Sequence, residues 1–157
     1  MRKQIAVIIA DDNHLMRGSL RLLLAEMEQV TLVGEAINGE EAMMLCQEKQ
    51  PDIVLMDINM SPVNGFEATR KILKQNPSVK IIAISMHNKV SYAKNMLKLG
   101  AYGYVCKSSP HSEIIEAIET VINGGVYVDK GLHGSADWNT LIVSLFASAQ
   151  MIQILSK

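Results

Sequence analysis

The sequence predicts an α/β fold, a doubly wound five-stranded parallel sheet with helices on both faces and one additional helix at the C-terminal end. Three observations carry this. Short apolar runs rich in β-branched residues recur without polar alternation, as strands buried on both faces do. Segments with apolar residues at helical spacing separate them. The length of 157 residues suits one domain with an appended element, and 48% hydrophobic residues are enough for a sizeable core.

Taken in order, Ile5 to Ala10 makes the first strand, Thr31 to Ala36 a weaker second, Ile53 to Met56 the third, Ile81 to Ile84 the fourth and Tyr102 to Cys106 a short fifth. Helical spacing links Leu15, Leu20, Leu23, Leu24 and Met27; Ala42, Leu45 and Cys46; Phe66, Thr69, Ile72 and Leu73; Tyr92, Met96 and Leu99; and Ile114, Ile115, Ile118, Val121 and Ile122. Strands and helices alternating in this way form right-handed βαβ units and a five-stranded doubly wound sheet. Asn38-Gly39, Gln50-Pro51, Asn76-Pro77 and Asn123-Gly124-Gly125 punctuate the connections. Residues 1–128 then form one domain, and residues 129–157 a linker and an amphipathic helix.

Bulk properties exclude several classes. A net charge of −1 offers no electrostatic footprint for nucleic acid, so no nucleic-acid binding is expected. Cys46 and Cys106 have neither CxxC nor Cys/His spacing and read as small core residues in a reducing cytoplasm. The opening MRKQIAVIIADD has too short an apolar run to span a bilayer and ends in two aspartates, so it reads as a strand and no membrane is expected.

Ligands of open α/β sheets bind beyond the carboxyl ends of the strands. There the sequence places Asp11 and Asp12 after the first strand, Asp57 after the third, Ser85 after the fourth and Lys107 after the fifth. Three carboxylates gathered together repel unless a cation neutralises them, and an all-oxygen ligand set suits Mg²⁺ better than zinc. A carboxylate beside Mg²⁺ and an ammonium is a nucleophile toward phosphorus, forming an acyl phosphate. Ser85 supplies a compact hydroxyl for a phosphoryl oxygen. Taken singly, Asp11 or Asp12 reads as a cap of the first helix, and Asp57 or Ser85 as a turn residue; the set together favours the site.

The segments IIADDN (8–13), LMDINMSPVNG (55–65), IIAISMH (81–87) and GAYGYVCK (100–107) resemble the signature segments of response-regulator receiver domains, the CheY-like family, across residues 4–125. MH after Ser85 and EAIETVINGG are similar to the NarL/FixJ subfamily. The resemblance implies the flavodoxin-like strand order 2-1-3-4-5, and that Asp57 accepts a phosphoryl group from a sensor histidine kinase or phosphotransfer protein. It also implies that Asp11, Asp12 and Asp57 bind Mg²⁺ with the backbone carbonyl of Asn59, and that Asp12 is the more direct ligand of the acidic pair. Lys107 matches the family lysine, Ser85 the switch hydroxyl, and Tyr104 the aromatic that swings inward with it. Departures are Ser61, which moves Pro62 one place later than usual, and Ser108 where proline is common, so that no cis peptide is expected after Lys107.

His14 and His87 read as solvated surface residues, although His87 stands near enough to Ser85 to tune phosphoryl lifetime. Tyr104 also reads as a core aromatic with its hydroxyl in water. A haloacid-dehalogenase-type phosphatase would need a second Asp where Asn59 stands, and Asn delivers no proton. A nucleotide or flavin cradle would need glycines after the first strand rather than Asp11 and Asp12. Receivers similar to this one usually precede a LuxR-type helix-turn-helix, but residues after Gly131 have too few basic side chains for one, so a truncated DNA-binding regulator is the alternative reading.

In the tail, Trp138, Leu141, Ile142, Leu145, Phe146, Ala149, Ile152 and Leu155 recur at helical spacing, with Ser135 or Asp137 as cap. Such a stripe needs cover. Because five helices already cover the sheet, a homodimer through this helix or the receiver surface, or exchange of the helix between protomers, is expected over an intramolecular sixth helix; the alternative is a remnant of a truncated or altered effector region that packs where it can.

Overall fold

The computed structural model describes residues 3–146. Six parallel strands, β1 (Ile5–Ala10), β2 (Val30–Ala36), β3 (Ile53–Asp57), β4 (Lys80–Ser85), β5 (Gly103–Cys106) and β6 (Tyr127–Val128), form one sheet in the order β2-β1-β3-β4-β5-β6. The α/β class is as expected, but the strand count of five is not. After the fifth helix, α5 (His111–Ile122), the chain turns at Gly124, φ +86°, and returns along the outer edge of β5. There the amide of Tyr127 donates to the carbonyl of Tyr102 at 2.9 Å and that of Asp129 to the carbonyl of Tyr104 at 2.8 Å. Two residues are too few to show a strand period, so backbone pairing makes β6.

The helices are α1 (His14–Ala25), α2 (Gly39–Lys49), α3 (Gly65–Gln75), α4 (Val90–Leu99), α5 (His111–Ile122) and α6 (Ala136–Phe146), with a 3₁₀ turn at Lys130–Leu132. Val7, Ile9, Leu55, Ile84 and Val105 pack with Leu20 and Leu24 of α1 and Ile118 of α5. The alternate positions Ile8, Ala10, Val54, Met56, Ala83 and Tyr104 pack with Ala42 of α2, Ala68 and Ile72 of α3, and Ala93 and Met96 of α4. Burial on both faces explains why these strands read as unbroken apolar runs. Cys46 and Cys106 are free and buried.

Asparagine caps fix where three helices start, each contributing about 1 kcal/mol. Asn13 accepts the amides of Leu15 and Met16, Asn38 that of Glu41 and Asn64 that of Glu67. The first cap is therefore Asn13 rather than Asp11 or Asp12.

The described part of α6 also departs from expectation, because it lies on α4 of its own domain. Leu141, 1% exposed, joins Val90, Met96, Leu97 and Leu132 in one cluster, with Trp138 at its margin. The 3₁₀ turn brings the chain back over α4, which leaves apolar side chains for α6 to cover. Trp138 stacks on His133 at 4.2 Å, and the amide of Trp138 donates to the Ser135 hydroxyl, so Ser135 is the cap. Ala149, Ile152 and Leu155, and the side chains of Leu145 and Phe146, lie outside the described residues. Among the described residues no helix is long and apolar enough to cross a membrane.

Candidate functional site

Parallel pairing aligns the carboxyl ends of the central strands, and that alignment builds the site. Ala10 pairs with Met56 and Asp57 with Ile84, so Asp11, Asp57 and Ser85 emerge side by side from β1, β3 and β4. Lys107 follows β5 directly, and its amide donates to the carbonyl of Ser85 at 2.6 Å.

Asp11, Asp12 and Asp57 each bring one oxygen to within 4.8 Å of the others. Asp11 is 1% and Asp57 3% exposed, while Asp12 faces solvent. The Lys107 ammonium lies 2.8 Å from Asp11 Oδ2 and 3.4 Å from Asp57 Oδ2. The closer ion pair lacks the angle of a hydrogen bond, and among the described residues no other donor reaches Asp11 Oδ2. Three carboxylates against one ammonium leave an excess of negative charge around a buried oxygen that still lacks a well-directed partner. A hard divalent cation with oxygen ligands fits this donor set.

Burial pushes the Asp57 carboxyl above the usual carboxylate range; the Asn59 amide and Lys107 oppose the shift and Asp11 adds to it. The Asn59 amide donates to Asp57 Oδ1 at 3.1 Å, and Asp11 Oδ1 accepts the Asn13 amide at 2.8 Å. Gly65 closes the loop after β3. A Cβ there would stand 2.6 Å from Ile58 Cα and press on the carbonyl of Asp57, so the loop folds tightly only with glycine.

Ser85 is fully buried, and its hydroxyl accepts the His87 amide at 3.0 Å. Tyr104 is fully buried as well and donates its hydroxyl to the His87 carbonyl at 2.7 Å, so that hydroxyl is not in water here. Burial pushes the Tyr104 phenol up to about 12. His87 is more than the surface residue expected. Its ring stacks on Tyr92 at 4.0 Å, and its Nε2 meets the Asn59 amide group at 2.9 Å. Asp11, Asp12, Asp57 and Lys107 thus cluster beyond the strand ends, the Asn59 amide bonds Asp57, and Ser85 and Tyr104 both bond the backbone of His87, whose ring meets Asn59. The Ser61–Pro62 peptide is cis.

Sequence reasoning missed two neighbours. Arg17 donates to the carbonyl of Asp11 at 2.8 Å from the first turns of α1. Asp129, just past β6, accepts the amide of Cys106 beside Lys107. Its only signal in the sequence was an acidic residue ending a short β-branched stretch.

A family model for the response regulator receiver domain matches residues 7–119. The transcriptional regulatory protein DegU of Brevibacillus brevis is 39% identical over 125 residues, covering 80% of this chain and 53% of DegU. The response regulator UvrY of Escherichia coli K12 is 36% identical over 124 residues, covering 79% of this chain and 57% of UvrY. The chain therefore spans a little over half the length of the curated relatives it matches. Among solved structures, a LuxR-family two-component response regulator from Aurantimonas sp. SI85-9A1 is similar at a TM-score of 0.78 and 30% identity, covering 93% of this chain and all of that one. With the family model spanning most of its length and relatives above a third identical, the chain belongs to the receiver domains of two-component response regulators.

Proposed function

We propose that this receiver is a Mg²⁺-dependent phospho-acceptor switch of the cytoplasm and that Asp57 is its acceptor. The supporting observation is the buried Asp57 carboxylate at a central strand end, 3.4 Å from Lys107 and within 4.8 Å of two further carboxylates. An Asp57 oxygen attacks the phosphorus of a phosphohistidine on a sensor kinase or phosphotransfer protein. The new O–P bond forms as the P–N bond breaks, and the electron pair leaves with the imidazole, which takes up a proton. Hydrolysis later attaches a water oxygen to phosphorus and returns the Asp57 carboxylate.

Asp11, Asp12 and Asp57, with the backbone carbonyl of Asn59, would hold Mg²⁺. When bound, the ion offsets negative charge on the carboxylates and the transferring phosphoryl oxygens. The Lys107 ammonium, 3.4 Å from Asp57 Oδ2, would pair with a phosphoryl oxygen on Asp57. The Ser85 hydroxyl exchanges the His87 amide for a phosphoryl oxygen, and Tyr104, bonded to the His87 carbonyl, follows the same loop. These two residues form the switch.

Incubation with Mg²⁺ and acetyl phosphate, followed by digestion and mapping, is expected to find the phosphoryl group on Asp57 alone. An Asp57→Asn chain that still gained an acyl phosphate would refute the assignment. A second reading, the receiver part of a longer LuxR-type DNA-binding regulator, is favoured by the names and the greater length of the relatives.

A further inference from the structure

We infer that Asp129 is a positioning residue for Lys107, an inference that rests on the role given to Lys107 above. Asp129 follows β6 directly and is 1% exposed. Its carboxylate gathers three donors. Oδ2 accepts the amide of Cys106 at 2.9 Å and the hydroxyl of Ser109, and Oδ1 accepts the amide of Gly131 at 2.8 Å.

Two of these donors flank Lys107, one residue before it and two after. The amide of Lys107 itself is held on the opposite side by the Ser85 carbonyl at 2.6 Å. The lysine backbone is thus gripped between β4 and the Asp129 carboxylate. β6 pairs with Gly103 and Tyr104 only, so it stops short of Cys106, and the side chain of Asp129 supplies the acceptor that a longer strand would have offered.

A buried carboxylate is stable only where directed donors offset its lost hydration, and here all three donors are spent on fixing backbone and loop. The fixing matters because Lys107 carries its charge at the end of a flexible four-carbon stem. Its ammonium meets Asp11 and Asp57 at once, at 2.8 and 3.4 Å, only while its Cα stays in place. A displacement of about 1 Å at a reacting group lowers rates on the order of a hundred-fold.

The test uses the full chain with saturating Mg²⁺ and acetyl phosphate, following phosphorylation rate against donor concentration for Asp129→Ala, Lys107→Ala and the double variant. Asp129→Ala is expected to lower the limiting rate on the order of ten-fold or more, because the lysine is misplaced. In the Lys107→Ala background the same substitution is expected to change the rate less than about two-fold, since residues acting through one group are not additive. Ser109→Ala removes one donor and is expected to give a smaller loss with the same dependence on Lys107; should Asp129→Ala fail to fold, the Ser109 cycle decides by the same criterion. The parent rate in Asp129→Ala, or an equal loss in both backgrounds, overturns the inference. If Lys107→Ala itself keeps the parent rate, the role given to Lys107 is at fault and the positioning inference falls with it.

Discussion

Replacing Asp57 by asparagine is expected to stabilise the fold in the absence of divalent ions. Repulsion from the Asp11 oxygen, no more than 4.8 Å away, is at least about 3.5 kcal/mol at an effective dielectric of about 20. Attraction to Lys107 at 3.4 Å is about 5 kcal/mol on the same footing, part of it shared with Asp11. These nearly cancel once Asp12, screened by solvent, adds its smaller repulsion. The sign is then set by burial of a carboxylate only 3% exposed, which costs several kcal/mol and is partly offset by the Asn59 amide. A net gain of about 1–2 kcal/mol for Asp57→Asn is expected, or roughly 2–8 °C in Tm.

Because the folded carboxyl holds its proton more tightly than the unfolded one, the penalty is absent below the ordinary carboxylate pKa of about 4. It grows as pH rises through the raised folded value and is complete above it. Thermal unfolding between pH 4 and 8, in chelator and in Mg²⁺, checks both features. The gap between variant and parent should widen with pH in chelator and narrow in Mg²⁺, because under the proposed role of the site the ion would bind the folded parent. A variant no more stable than the parent at pH 7.5 without divalent ions would refute the picture of crowded, buried charge.

Two further substitutions probe the frame of the site. Gly65→Ala should cost about 1–3 kcal/mol in denaturant titration and slow acetyl phosphate labelling, since its methyl group collides with the Asp57–Ile58 backbone. Leu141→Ala should loosen α6 before the sheet unfolds, because a buried leucine is worth about 2–5 kcal/mol and α6 packs at the margin of the domain. The emission of Trp138, the only tryptophan, should shift red while far-ultraviolet dichroism holds; unchanged emission would count against docking on α4.

The strands legible in the sequence were those whose side chains alone report their setting. Val7 to Ala10 and Ile53 to Met56 are buried on both faces, and apolar runs are what such positions favour. Reading strand ends then located Asp11, Asp57, Ser85 and Lys107, since a parallel sheet aligns those positions whatever its loops do. β6 was invisible because main-chain bonds to β5 define it. The stripe through Trp138 and Leu141 showed that α6 needed cover, yet periodicity carries no information about which surface supplies it. The closeness of His87 to Ser85 was legible, but its contacts were not, because Asn59, Tyr92 and Tyr104 arrive from three other segments.

The short β6 has a consequence for how the domain meets other chains. An open strand edge invites a foreign strand to add to the sheet. On β5, Gly103 and Tyr104 are paired with Tyr127 and Val128, and the amide of Cys106 is already bonded to the Asp129 carboxylate. The border thus passes to β6, which is only two residues long and whose Val128 carbonyl already meets the His133 ring at 2.8 Å. That side therefore offers a foreign strand very little backbone, whereas the seven residues of β2, at the opposite border, form the longer edge among the described residues.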